Sequence, residues 1–135
     1  GGEYGATTGR PRRCGWFDVP AFKRAAMVNG LSSTALMKMD VMDFLKEIKI
    51  CTAYRYKGRI YTEFPNSIEV LEGCKPVYET HPGWLCDLSK VKRYAGLPAN
   101  ARKYIERLEK LTGVKASIIS LGRDRQNTII TGRIF

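Results

Sequence analysis

Apolar and polar positions change period several times along these 135 residues, and each change marks an element. Between Leu97-Pro98 and Gly113, the residues Ala101, Tyr104, Ile105, Leu108 and Leu111 recur at helical spacing, the stripe of an amphipathic helix. A shorter helix is predicted through "AFKRAAMV". Asp18 is its N-cap, Pro20 sits in its first turn, and Asn29-Gly30 ends it. Phe22, Ala25 and Ala26 form its apolar stripe. "IKICTAYRY" (48–56) alternates as a strand, Lys57-Gly58 turns the chain, and "RIYTEF" returns as far as Pro65, which predicts a hairpin. "VYET" (77–80) is a short strand stopped by Pro82-Gly83. "TALMKMD" (34–40) reads as a short buried strand running into a turn, and "DFLKE" adds a helical turn. "VKASIIS" is a strand left at Leu121-Gly122, and "NTIITGRIF" is a last strand. Residues 1–17 are a glycine- and arginine-rich loop. The fold class is mixed α/β, with short strands, a hairpin and two solid helices.

Charge changes the picture. Lys and Arg outnumber Asp and Glu by 23 to 13, a net +10 that favours anionic partners: nucleic acid, phosphorylated metabolites or an anionic surface. The tightest cluster is Arg10, Arg12 and Arg13, followed by Lys90/Lys92/Arg93, Arg102/Lys103 and Arg123/Arg125. A basic nucleic-acid-binding module is the alternative this charge allows, and it predicts binding that falls steeply with salt. Arginine dominates the loop clusters, and its planar fork suits bidentate recognition of carboxylate or phosphate.

Cysteines and apolar runs narrow the class. Cys14, Cys51, Cys74 and Cys86 contain no C-x-x-C pair, so the spacing of a zinc site is absent and the thiols read as reduced and cytosolic. No apolar run approaches the roughly 18 residues of a membrane span, and no secretory-signal pattern is visible. With Gly1-Gly2 in place of an initiating Met, the chain is expected to be processed or cut from something longer.

Three stretches carry candidate chemistry. In "LMKMDVMD", alternation along a strand would put Lys38 and Asp40 on one side, at the strand's end. A carboxylate there can accept from two adjacent N–H donors, the pair that guanine offers in N1–H and its 2-amino group. Charge-assisted bonds of roughly 1.5 to 3 kcal/mol each separate guanine from adenine. The local pattern alone favours a plainer reading, a strand-end ion pair or a helix N-cap. In "ISLGRDR" (119–125), a strand end exposes backbone groups and Gly122 lets a planar ring approach; alone, it is also an ordinary turn. "ATTGRPRR" supplies hydroxyls, a flexible glycine and arginine forks for a ligand with several carboxylates or phosphates. His81, the single histidine, lies in "YETHPGW" with no nucleophile motif beside it, and packing is the reading for it and for Trp16 and Trp84. Neither the G-x-x-x-x-G-K-[ST] phosphate loop nor a catalytic carboxylate pair is present.

Taken in order, "GATTGRPRRCGWFD", "LMKMDVMD", "VYETHPGW", "LPANARKYIERLEKLTGV" and "ISLGRDR" resemble the C-terminal part of the adenylosuccinate synthetase family, over nearly the whole chain. The resemblance implies the C-terminal region of a P-loop-type, GTP-dependent ligase. It joins IMP and L-aspartate into adenylosuccinate, with GDP and phosphate released, in AMP biosynthesis. Residues 1–17 become an aspartate- and anion-binding loop and 18–135 a guanine-binding α/β portion. In the loop, Ala6, Thr7, Thr8, Gly9, Arg10, Pro11 and Arg12 would close on aspartate, with Arg10 also near IMP and Arg12 near GTP. Lys38, Met39, Asp40, Ser120, Leu121 and Gly122 would hold the GTP base. Mg²⁺ and the catalytic residues would belong to upstream chain, so these residues alone are expected to be inactive. A cytoplasmic homodimer, with no nucleic-acid or membrane partner, is implied as well. Three positions depart from the family: Pro11 where many members carry a basic residue, His81 where many are apolar, and Arg123 in place of a proline.

Overall fold

The computed structural model describes residues 3–5 and 7–132. Two small sheets share one apolar core with a single long helix. In the first sheet, β3 (Glu47–Tyr56) is central. It pairs antiparallel with β5 (Lys75–Pro82) along one edge. Its other edge takes β1 (Phe17–Asp18) in parallel and β4 (Arg59–Tyr61) antiparallel. In the second sheet, β6 (Lys115–Ser120) lies between parallel β2 (Ser33–Leu36) and antiparallel β7 (Thr128–Ile130).

The helices follow their sequence signals. Helix α1 (Val19–Asn29) starts where Asp18 accepts the Ala21 amide over 3.0 Å, and ends at Gly30, whose φ of +61° only glycine adopts at little cost. Asp18 also receives the Tyr54 hydroxyl, tying the cap to β3. Helix α3 (Ala99–Thr112) buries Ala101, Tyr104, Ile105 and Leu108 against both sheets, and Gly113 closes it at φ +74°. Ile48, Ile50, Leu88, Ile105, Ile119 and Leu121 form the fully buried centre.

The structure departs from the expected elements at several places. Of the α1 stripe, Ala26 is buried, Phe22 packs on Phe17 at 5.2 Å, and Ala25 is exposed. The strand read over 34–40 stops at Leu36, and the helical turn forms earlier than "DFLKE", as a 3-10 turn over Met39–Met42. β4 is shorter than "RIYTEF" because Thr62 onward leaves β3, while β5 runs longer because Lys75 to Pro82 all pair with β3. A short helix, α2 (Ile68–Gly73), capped by Ser67, has too few residues to show periodicity in sequence. The last strand closes at Ile130; the end of its predicted span, 133–135, lies outside the described residues. All four cysteines are free thiols, and no helix among the described residues is long and apolar enough to cross a membrane.

Candidate binding cleft

Two parallel strands set the site. β2 and β6 run side by side with Leu36 opposite Ile119, so both leave the sheet at the same end. Residues 37–41 and 120–125 are thereby brought together, at the carboxyl ends of strands, where α/β sheets commonly bind ligands. A cleft of about 510 Å³ opens there, walled by Lys38, Asp40, Ser120, Gly122 and Arg123.

Lys38 and Asp40 reach it by a route other than alternation. Lys38 has left-handed backbone at φ +59°, an uncommon conformation for a residue with a side chain. It turns the chain from β2 into the 3-10 turn, which sends Met39 into the core at 2% exposure and leaves Asp40 on the cleft wall. Beneath the turn lies Asp43, a buried carboxylate. Its two oxygens accept the Trp84 indole N–H and the Leu88 amide, each over 2.9 Å. Burial pushes its carboxyl above the ordinary range, and the two donors pull it partly back.

The facing wall is a closed turn. Ser120 is buried and donates its hydroxyl to the Gly122 carbonyl at 3.1 Å. Leu121 points into the core, and its amide donates to the Asn127 carbonyl at 2.8 Å. A Cβ on Gly122 would lie 3.0 Å from the Asn127 side chain, a tight contact that a larger residue would relieve only by shifting Asn127. Asn127 in turn donates from Nδ2 to the Ser89 carbonyl over 2.6 Å.

The opening residues fold over one end of the cleft as a narrow antiparallel strap. Tyr4 bridges Pro11, Arg12 N donates to the Glu3 carbonyl at 2.9 Å, and Gly5 N to the Arg10 carbonyl at 2.8 Å. Gly9 turns the strap at φ +62°. Glu3, Tyr4 and Arg12 line the cleft, and the Glu3 carboxylate pairs with Lys38, whose ammonium holds it below the ordinary carboxylate range. Thr7, Thr8, Gly9, Arg10 and Pro11 are exposed on the strap and do not line the cleft, and Ala6 lies outside the described residues.

Of the residues singled out in the sequence, Lys38, Asp40, Ser120, Gly122 and Arg12 line this one cleft, which Glu3, Tyr4 and Thr128 line as well without having been singled out. Nothing local marks Glu3 or Tyr4; they arrive only because the strap doubles back. His81 lies away from the cleft, on β5, bonded to Glu79 at 2.6 Å. Glu79 also takes the Arg107 fork at 2.7 and 2.6 Å, which lowers its carboxyl pKa more than any other contact. Among the described residues, no three His, Cys, Asp or Glu side chains converge as a metal site.

Fold and cleft define a mixed α/β unit with an open cleft at parallel strand ends. Residues 1–129 match the family described as adenylosuccinate synthetase, and the chain belongs to that family. It is 54% identical to the adenylosuccinate synthetase of Desulforamulus reducens and 50% identical to that of Desulforapulum autotrophicum, each over 100% of this chain. The fully ligated adenylosuccinate synthetase from Plasmodium falciparum matches the fold with a TM-score of 0.90, at 36% identity over 96% of this chain and 32% of that one. The chain spans 32% of the length of the two bacterial relatives.

Proposed function

We propose that this chain carries the aspartate-closing loop and the guanine-recognising cleft of a ligase that uses GTP to join IMP and L-aspartate into adenylosuccinate. The single observation that supports this best is the shared cleft of Asp40, Lys38, Ser120, Gly122 and Arg12 at the ends of β2 and β6. In this reading Asp40 accepts the guanine N1–H and 2-amino donors, a pair adenine lacks. Met39 and Leu121 contribute only backbone, since both side chains are in the core. Ser120 and Gly122 offer backbone groups to the base edge, and Lys38 packs its stem beside it.

Ala6, Thr7, Thr8, Gly9, Arg10, Pro11 and Arg12 are the loop that closes on aspartate. Arg10 reaches toward IMP and Arg12 toward GTP, each with a planar fork suited to anions. Residues 1–17 are then the loop unit and 18–135 the base-binding unit. The protein works in the cytoplasm as a homodimer.

Mg²⁺, when bound, would neutralise charge on the transferring phosphoryl group. Among the described residues no three carboxylate, imidazole or thiol side chains converge to hold it, and the sequence has no phosphate-cradling glycine loop. The role of these residues is to bind and orient, and the 135-residue chain alone is inactive. Two measurements test the reading. Backbone amide shifts on GDP addition should cluster at Asp40 and Ser120–Gly122, with none from ADP. Phosphate release dependent on GTP, IMP and aspartate should stay at background for the isolated chain; clear turnover would refute its inactivity.

A further inference from the structure

Glu3 ties the strap to the cleft wall through both its backbone and its side chain. Glu3 uses its backbone carbonyl to close the mouth of the strap on the Arg12 amide at 2.9 Å. It uses its side chain to hold Lys38, thirty-five positions away in sequence. Lys38 in turn has the left-handed backbone that places Asp40, and its carbonyl accepts the Val41 amide at 3.3 Å. Displacing the Lys38 ammonium therefore pulls on the carboxylate whose own backbone pins the strap.

We propose that Glu3 is a positioning residue that couples the two sites, so that a guanine nucleotide in the cleft orders the arginine strap and an anion held by the strap tightens the nucleotide. The proposal rests on the guanine reading of the cleft. A base seated against the Lys38 stem restricts that side chain and leaves its ammonium aimed at Glu3. The fixed Glu3 then keeps its carbonyl opposite Arg12, and the strap's remaining bonds, Gly5 to Arg10 and Gly9 to Gly5, close above it. Linkage makes the effect reciprocal. The Lys38 side chain is 57% exposed, and exposed ion pairs are weak, so the coupling is modest, about two- to fivefold in affinity.

The test uses the intact protein that contains these residues, as wild type and as Glu3→Gln. The substitution keeps the shape and removes the charge. GDP is the probe, and hydrogen exchange at the Gly5, Gly9 and Arg12 amides is the readout, one that a general loss of stability would not mimic. In the wild type, GDP should slow exchange at these amides; in Glu3→Gln, GDP should still bind but leave their exchange unchanged. In turnover, Glu3→Gln should raise KM for L-aspartate and for GTP by about two- to fivefold with kcat unchanged. Equal protection of the strap in both proteins, or none in a wild type that binds GDP, overturns the coupling alone. A Glu3→Gln protein that no longer binds GDP also overturns it, by making Glu3 part of the base site itself. A wild type that binds no GDP overturns the guanine reading and the coupling with it.

Discussion

Trp84 donates its indole N–H to Asp43 over 2.9 Å, and this bond anchors the turn that presents Asp40. The two residues lie far apart in sequence, on the segment after β5 and on the turn after β2. Asp43 donates its own amide to the Asp40 carbonyl at 3.1 Å, so the anchor and the proposed base-reading position are one hydrogen bond apart. Among the described residues no cation pairs with the Asp43 carboxylate; two N–H donors satisfy it, and it is 4% exposed.

Trp84→Phe removes one of those donors and keeps an aromatic ring against Tyr104. The buried oxygen left without its partner should cost about 1 to 3 kcal/mol. Urea denaturation followed by circular dichroism reads that loss. Substituting the exposed Phe44 by Ser, next to Asp43 but outside the bond, should leave stability within about 0.5 kcal/mol of wild type.

The Glu79–Arg107 fork predicts a pH dependence. Arg107 is the largest influence lowering the Glu79 carboxyl, against a smaller opposing effect of burial. A folded-state pKa below the unfolded one stabilises the protein above the unfolded value and loses that contribution as pH falls through the folded value. The difference in Tm between wild type and Arg107→Ala should therefore be full near pH 7 and shrink steadily below about pH 4.5. Both side chains are about one-third exposed, which keeps the effect small, about 1 kcal/mol or less. A difference that grows on acidification would contradict the assignment.

Asp40→Asn tests base reading directly. The amide keeps one acceptor oxygen but replaces the other with a donor that faces the donors of guanine. Losing a charge-assisted bond of about 1.5 to 3 kcal/mol should weaken GDP about tenfold or more. The response to ADP should not change. Calorimetric titration of both nucleotides gives the comparison.

Much of the fold was legible because its signals are local. Asp18 caps α1 and Gly113 ends α3 by side-chain and backbone preferences that act within one turn of chain. The periodic stripe from Ala101 to Leu108 found the core because a helix repeats its buried face. The cleft was legible only in pieces. Lys38 and Asp40 do share a wall, but a left-handed residue and a 3-10 turn bring them there, and strand alternation gives no hint of either. That Leu36 pairs with Ile119, which joins the two walls, is a long-range register without a local signature. Glu3 had no signal at all, since its role depends on where the strap folds.

Two glycines give the sharpest contrast for the chain's architecture. At Gly83 a Cβ would stand 1.7 Å from the Leu45 carbonyl oxygen, because the end of β5 is drawn against the segment entering β3, with Gly83 N donating to the Lys46 carbonyl at 2.9 Å. The obstacle is backbone on both sides, so no side chain can rotate away. Gly83 also accepts from Asn100 Nδ2 at 2.9 Å, which ties the same point to α3. At Gly113 a Cβ would meet nothing within 4 Å, and the only cost is the positive φ. Gly113→Ala should thus lose about 1 to 2 kcal/mol with its fold intact. Gly83→Ala should lose more than about 4 kcal/mol or fail to fold cooperatively. Because Trp84 follows directly, any relaxation at Gly83 should also loosen the Asp43 anchor. Urea unfolding of the two variants side by side decides it: equal losses would mean that the close approach at Gly83 is not what fixes this corner of the fold.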